Sequence, residues 1–274
     1  MVLREGSEQK VLHTEEVFKA WQLERLQQVT RAISLTTSIA DRLAETSPWK
    51  IFARDSIMKT VGMIPPLRDA IEKMDTPALK YDYSDGMPFL PAVGGGFTLP
   101  QVYCVPLGLR DDKQDTVSFT DDVIFKTGKK GLLQLVCLVK SAAEAEKVKQ
   151  WQAVREAETL SDGEVRADEV TYIVQDVQAR PLTASCTERD DSAAGTNTFR
   201  VATGDEFAKS KLCQGRSPPE RYSEHRMLKE TKGKQYVLVR WDWYIFAACQ
   251  DEGELISAMA KIPAVLKGKS GERG

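Results

Sequence analysis

The stretch Tyr236-Val237-Leu238-Val239-Arg240-Trp241-Asp242-Trp243-Tyr244-Ile245-Phe246-Ala247-Ala248-Cys249 decides the fold. Two apolar runs, Tyr236 to Arg240 and Tyr244 to Cys249, flank a tight turn at Trp241-Asp242, and the pattern predicts a β-hairpin. Just beyond it Asp251 is placed to cap a helix, with Glu254 in the capping-box position and Leu255, Met259 and Ile262 on one face.

Working back from the hairpin, Leu132 to Val139 is a continuous apolar run, which predicts a buried strand. Residues 142–157 carry Ala143, Ala145, Val148, Trp151 and Val154 at helical spacing. Glu169 to Val177 alternates as a strand, and 180–198 is polar and reads as a loop. Thr203 to Leu212 suits a short helix capped by Thr203 or Asp205. The order strand, helix, strand, short helix, hairpin, helix is the thioredoxin-like order. It implies a mixed sheet with helices on its faces, over residues 123–266. Residues 267–274 form a polar tail expected to be disordered.

The other end of the chain is different. Residues 1–13 look frayed, and a helical pattern starts at Thr14. Val17, Trp21, Leu26, Val29, Ile33 and Ile39 recur at roughly helical spacing, as one long helix or two. Pro48 punctuates it, a second helix covers 50–62, and Pro65-Pro66 separates a third over 66–75. Residues 1–78 are therefore a helical segment. Residues 79–122 are rich in Pro, Gly and aromatic residues and read as an extended connector that packs on something, since a free linker would hold fewer rings. The fold class is α+β: an N-terminal helical segment followed by a thioredoxin-like α/β domain with a mixed sheet.

Composition narrows the function. The chain has 274 residues, 42% hydrophobic and 28% charged, with a formal net charge of -2 and both signs interspersed. Nucleic-acid binding would want a basic stripe, so nucleic acid is not expected as a partner. No apolar stretch approaches the roughly 20 residues that span a bilayer, and residues 1–20 lack a secretory pattern. No membrane partner is expected. The five cysteines, Cys104, Cys137, Cys186, Cys213 and Cys249, are scattered and odd in number, which suits free thiols in a cytoplasmic protein rather than a disulfide framework or a zinc site.

The thioredoxin-like order prompts a search for Cys-x-x-Cys, and none is present, so thiol exchange has no resolving pair. Gly94-Gly95-Gly96 precedes Phe97-Thr98-Leu99-Pro100, which cannot open a helix cleanly, so a structural turn is preferred over a phosphate cradle. Gly268-Lys269-Ser270 lacks the rest of a Walker motif. With only His13 and His225, no catalytic or metal-binding histidine set is expected. Asp111-Asp112, Asp121-Asp122 and Asp190-Asp191 read as surface turns. In the hairpin, alternation turns some rings outward, which makes Arg240, Trp241, Asp242, Trp243 and Tyr244 candidate partner-interface residues. Tyr81, Tyr83 and Phe89 in the connector are candidate pocket residues.

Residues 18–25, 51–55 and 65–68, then 81–83, 86–89, 95–96 and 99–101, then 236–240 with Asp242 and 246–247, together resemble one family, the FAD-dependent aromatic monooxygenases of the phenol hydroxylase kind, particularly fungal ones. Phe18-Lys19-Ala20-Trp21-Gln22-Leu23-Glu24-Arg25, Ile51-Phe52-Ala53-Arg54-Asp55 and Pro65-Pro66-Leu67-Arg68 look like the helices that follow the flavin domain. Tyr81-Asp82-Tyr83, Gly86-Met87-Pro88-Phe89, Gly95-Gly96 and Leu99-Pro100-Gln101 look like the connector into the C-terminal domain. Tyr236-Val237-Leu238-Val239-Arg240 with Asp242 and Phe246-Ala247 looks like an Arg-Pro-Asp hairpin, with Trp241 where that family usually has Pro. The resemblance covers roughly residues 15–265, and order and spacing carry it rather than any one motif.

The family uses FAD, but the sequence holds neither its Gly-x-Gly-x-x-Gly turn after a strand nor its later Gly-Asp segment in context. Gly204-Asp205 lies within the thioredoxin-like half. No cofactor is therefore expected in this chain, and no catalytic or metal residues. Without a reduced flavin to activate dioxygen, it is not expected to hydroxylate alone. The resemblance implies a non-catalytic accessory or partner-binding protein of fungal aromatic polyketide biosynthesis, acting as a homodimer or as a heterodimer with a flavin monooxygenase. The alternatives are a fragment or subunit of an active FAD-dependent aromatic hydroxylase, and a flavin-independent isomerase or cyclase on the same scaffold.

Overall fold

The hairpin forms in register. In a computed structural model that describes residues 14–64, 66, 80–107, 117–180, 197–214 and 222–266, β6 (Tyr236–Arg240) pairs antiparallel with β7 (Ile245–Cys249). A bulge interrupts the ladder between Leu238 and Val239, so Ile245 opposes Val239 while Ala247 opposes Leu238. Phe246 is the extra residue, and it turns to the same face as Ala247.

The hairpin joins a larger mixed sheet. The other strands are β1 (Tyr103–Pro106), β2 (Ser118–Phe119), β3 (Leu133–Val139), β4 (Thr171–Val174) and β5 (Thr198–Val201), in the order β2-β1-β5-β4-β3-β6-β7. β3, β4 and β5 run parallel; β6 and β7 on one side and β1 and β2 on the other pair antiparallel. All seven residues of β3 are buried, as expected for a strand covered on both faces.

Helices cover those faces. On one, Leu135, Cys137, Tyr172 and Leu238 pack against α4 (Ala142–Lys149), α5 (Gln152–Arg155), α6 (Ala157–Leu160) and α9 (Glu252–Leu266). On the other, Val136, Leu138, Ile173 and Val237 meet Val123 and Ile124 of α3 (Thr120–Ile124) and Met227 of α8 (Arg226–Glu230). A short helix α7 (Gly204–Lys209) follows β5. Its cap is Thr203, whose hydroxyl accepts from the Glu206 amide while the Glu206 carboxylate accepts from the Thr203 amide. Asp251 caps α9 by accepting from the Glu254 amide at 2.9 Å. Glu254 itself reaches one residue past the expected position, to the amide of Gln250.

Several sequence expectations shift. The helix over 142–157 is three short pieces, because Gln150-Trp151 and Glu156 leave the helical path. The stretch read as an extended connector supplies β1 and β2, and β5 follows the stretch read as a loop. The expectations for the N-terminal fraying, the tail over 267–274, and nearly all of the third helix and the 180–198 loop lie outside the described residues.

The chain divides into two compact units, with Thr14–Met87 apart from the unit that runs from Pro88 and holds the sheet. The first contains α1 (Thr14–Leu43) and α2 (Pro48–Met63). Pro48 opens α2, where its missing amide is no loss. On α1, Gln27 exchanges two hydrogen bonds with the Asp82 backbone at 2.7 and 3.0 Å. Gln28 donates to the Tyr81 hydroxyl at 2.6 Å, and Arg31 to the Lys80 carbonyl at 2.8 Å. One face of α1 is thus tied to the strap 80–82.

Candidate interaction surface

Around a helix of 3.6 residues per turn, Phe18, Trp21, Leu26, Val29, Ile33, Ile39 and Leu43 fall within an arc of about 140°. Gln27 and Arg31, which hold the strap, project on the opposite side, Gln28, which also holds it, falls beside Trp21 and Ile39 at the edge of the arc, and exposed Leu35 lies outside the arc. The apolar arc is uncovered: Phe18, Leu26 and Ile33 are each 60% exposed and Leu43 is 75% exposed. On α2 no residue is buried. Trp49 and Phe52 stack on each other with centroids 5.8 Å apart, yet both remain exposed. Every exposed large hydrophobic residue among the described ones lies between Phe18 and Tyr83, and none lies in the sheet unit. Monomers rarely expose a contiguous apolar patch beyond about 600 Å², and a larger one marks an interaction site.

The hairpin residues singled out from the sequence lie differently. Arg240 is buried and grips Asp242 with two hydrogen bonds, at 3.1 and 2.6 Å. Trp241 donates its indole N–H to the Gly131 carbonyl at 2.6 Å and lies 4.9 Å from the Phe125 ring. Trp243 stands edge-on to Phe125 at 5.1 Å and holds φ of 71°, in the left-handed region. Tyr244 is buried under the Arg240 guanidinium. The turn therefore aims these rings at their own sheet unit, because the left-handed step at Trp243 breaks the simple alternation. Of the connector residues, Phe89 is buried within the sheet unit, while Tyr81 is buried and Tyr83 exposed in the helical one.

The glycine turn has no amide to offer a phosphate. Gly94 donates to the Pro91 carbonyl, Gly95 to Leu90 at 2.9 Å and Gly96 to Ile245 at 2.9 Å. A Cβ on Gly95 would stand 2.3 Å from the Phe246 carbonyl oxygen, so the residue is small because the backbones touch. Gly204-Asp205 opens a helix of six residues in which the Thr203 hydroxyl caps the Glu206 amide.

A buried polar cluster escaped the sequence reading. Lys129 donates from Nζ to the Glu169 carbonyl at 2.7 Å and to the Thr171 hydroxyl at 2.8 Å. The Glu169 carboxylate accepts from the Lys130 and Gly131 amides at 2.5 and 2.9 Å, and from Gln134 Nε2 at 3.1 Å. Burial pulls the Lys129 ammonium down to about 8. The cluster sits at the amino ends of β3 and β4, whereas open α/β sheets bind ligands beyond the carboxyl ends. It clamps the loop before β3 to the turn before β4. No local spacing signals it, since the two partners lie 40 residues apart.

The described cysteines are buried, and burial raises the thiols of Cys104 and Cys249 to about 12 and that of Cys137 further. Those three thiols are protonated and inert at neutral pH. Among the described residues no group of three His, Cys, Asp or Glu gathers to hold a metal, and no helix is long and apolar enough to cross a membrane. Comparison with known proteins finds no matching family model, no matching curated protein and no matching solved structure.

Proposed function

We propose that the chain is a non-catalytic partner-binding protein of the FAD-dependent aromatic monooxygenase kind, a cytoplasmic accessory to fungal aromatic polyketide biosynthesis. The observation that carries partner binding is the uncovered apolar face of α1 together with α2. Apolar surface on this scale is stabilised by leaving water, and the helical unit by itself leaves it wet. The family part of the proposal rests on the connector and hairpin motifs and on the strand plan. Parallel β3 and β4 joined through helices, then an antiparallel β6–β7 pair and a closing helix, follow the thioredoxin-like order and support that finer reading of the fold. The turn after β3 carries Ser141 and Glu144 rather than a thiol pair. The Ser141 hydroxyl accepts from the Glu144 amide, and the Glu144 carboxylate accepts from the Lys140 amide.

The test is to titrate FAD into the purified chain and record the visible spectrum. The expected result is a spectrum of free flavin and no hydroxylation of a phenol in the presence of NADPH. Stoichiometric bound flavin would overturn the non-catalytic reading and favour an active hydroxylase instead.

A further inference from the structure

We propose that α2 lies flat on an anionic lipid surface, with its apolar face in the bilayer interface and its lysines among the headgroups. The inference goes beyond the partner-binding reading, which the apolar arc of α1 carries without α2. Among the described residues no helix is long and apolar enough to cross a bilayer, but a helix that lies in the plane of the interface needs no such length.

The first argument is the apolar face. At 3.6 residues per turn, the arc of α2 from Phe52 round to Ile57 spans about 140° and holds Trp49 and Met63 but no charged residue. These four side chains are between 62% and 77% exposed. Trp49 stacks on Phe52 near the amino end of the helix. A membrane interface favours Trp, whose ring is apolar and whose N–H is polar. Exposed Met58 and half-buried Ile51 lie outside the arc and take no part.

The second argument is charge. α2 carries Lys50, Arg54 and Lys59 against Asp55 alone. Lys59 stands about 20° beyond the Phe52 edge of the arc, and Lys50 about 20° beyond the Ile57 edge. With the apolar face down, the two ammonium groups come to one depth, level with the lipid phosphates, while their stems lie along apolar surface. Asp55 is held by Arg54 at 2.9 Å, which mutes the one carboxylate of the helix. Lys50 pairs with Glu45 at 2.9 Å and is well exposed, and an exposed pair of this kind is weak enough to give way to a phosphate.

The third argument is size. The four side chains of the arc each leave on the order of 100 Å² uncovered, so they offer about 400 Å². That is half of the roughly 800 Å² that a standard stable protein interface takes from one partner. It suits a helix that sinks only about 5–10 Å into the boundary between headgroups and acyl chains.

The experiment is flotation of the full chain with two kinds of vesicle, phosphatidylcholine alone and phosphatidylcholine mixed with phosphatidylserine. The expected result is flotation with the mixed vesicles and not with the neutral ones, weakened by added salt. Trp49→Ala/Phe52→Ala is expected to lower affinity for the mixed vesicles by about tenfold or more. Lys50→Glu/Lys59→Glu is expected to remove the preference for phosphatidylserine, and Met58→Ala to bind like the parent. All five side chains are exposed, so circular dichroism is expected unchanged in every variant. Flotation with neither vesicle, or with both alike, overturns the proposal. So does a preference that survives the glutamates, or a Met58→Ala loss equal to that of Trp49→Ala/Phe52→Ala. None of these outcomes touches the partner-binding reading, which fails separately if a dye that fluoresces on apolar surfaces does not bind the chain.

Discussion

In the sheet unit, Leu138 and Leu238 show none of their surface to solvent, while in the helical unit Trp49 and Leu43 show about three-quarters of theirs. Both regions are rich in large apolar side chains. They differ in what those side chains meet. The strands of the sheet find helices on both faces, so their side chains are covered from within the chain. α1 is tied through Gln27, Gln28 and Arg31 to the strap 80–82, while Phe18, Leu26, Ile33 and Leu43 stay exposed. Stability in the first region is a matter of internal packing. Order in the second depends more on helix propensity, a few polar ties and whatever covers the face. The difference locates function, because an apolar face that does not build a core is available to build an interface.

The largest expected effect breaks the sheet unit from inside. Glu169→Ala removes the acceptor of two amides and of the Gln134 side chain, and it leaves the Lys129 ammonium buried without a carboxylate. Each buried donor left without its acceptor costs about 1–3 kcal/mol, and the Glu169 carboxylate serves three. Urea denaturation followed by tryptophan fluorescence measures this, and a loss below about 1 kcal/mol would mean that the cluster does not clamp the loop.

Next comes a matched pair. Leu238→Ala empties a fully buried site between β3 and β7 and is expected to destabilise by about 2–5 kcal/mol. Met58→Ala on α2 removes a side chain that is 59% exposed and is expected to stay within about 0.5 kcal/mol. Equal losses in thermal melts of the two variants would erase the contrast between the units.

The sequence announced these regions unequally, for physical reasons. The hairpin was legible because its two apolar runs and its turn sit within fourteen contiguous residues. The closing helix was legible because Asp251 and the face through Leu255, Met259 and Ile262 are local signals. β5 was not read because Thr198–Val201 is four residues long, includes Arg200 and follows a polar stretch. β1 and β2 were hidden in a Pro- and Gly-rich segment whose pairing is long-range. Periodicity showed that one face of α1 is apolar, but periodicity says nothing of what covers that face. The inward turn of Trp241 and Trp243 depends on a left-handed backbone step that composition does not reveal.

The smallest effect concerns pH and sharpens the account of the sheet unit. In the unfolded chain Lys129 titrates near 10.4, and in the folded protein burial brings it to about 8. Below pH 8 the ammonium is charged in both states, and its burial penalty is constant. As pH rises from 8 towards 10 the folded protein releases a proton that the unfolded chain keeps. Stability therefore rises with pH, by at most about 2 kcal/mol across that window. Other groups titrate in the same range, so the effect is read as a difference. Lys129→Met removes the titration and leaves the other groups in place. Wild type is expected to gain on the variant steadily between pH 8 and 10, with no relative change between pH 6 and 7. Parallel stability curves would mean that water reaches the amine and that the loop before β3 is less tightly closed than the hydrogen bonds of Lys129 require.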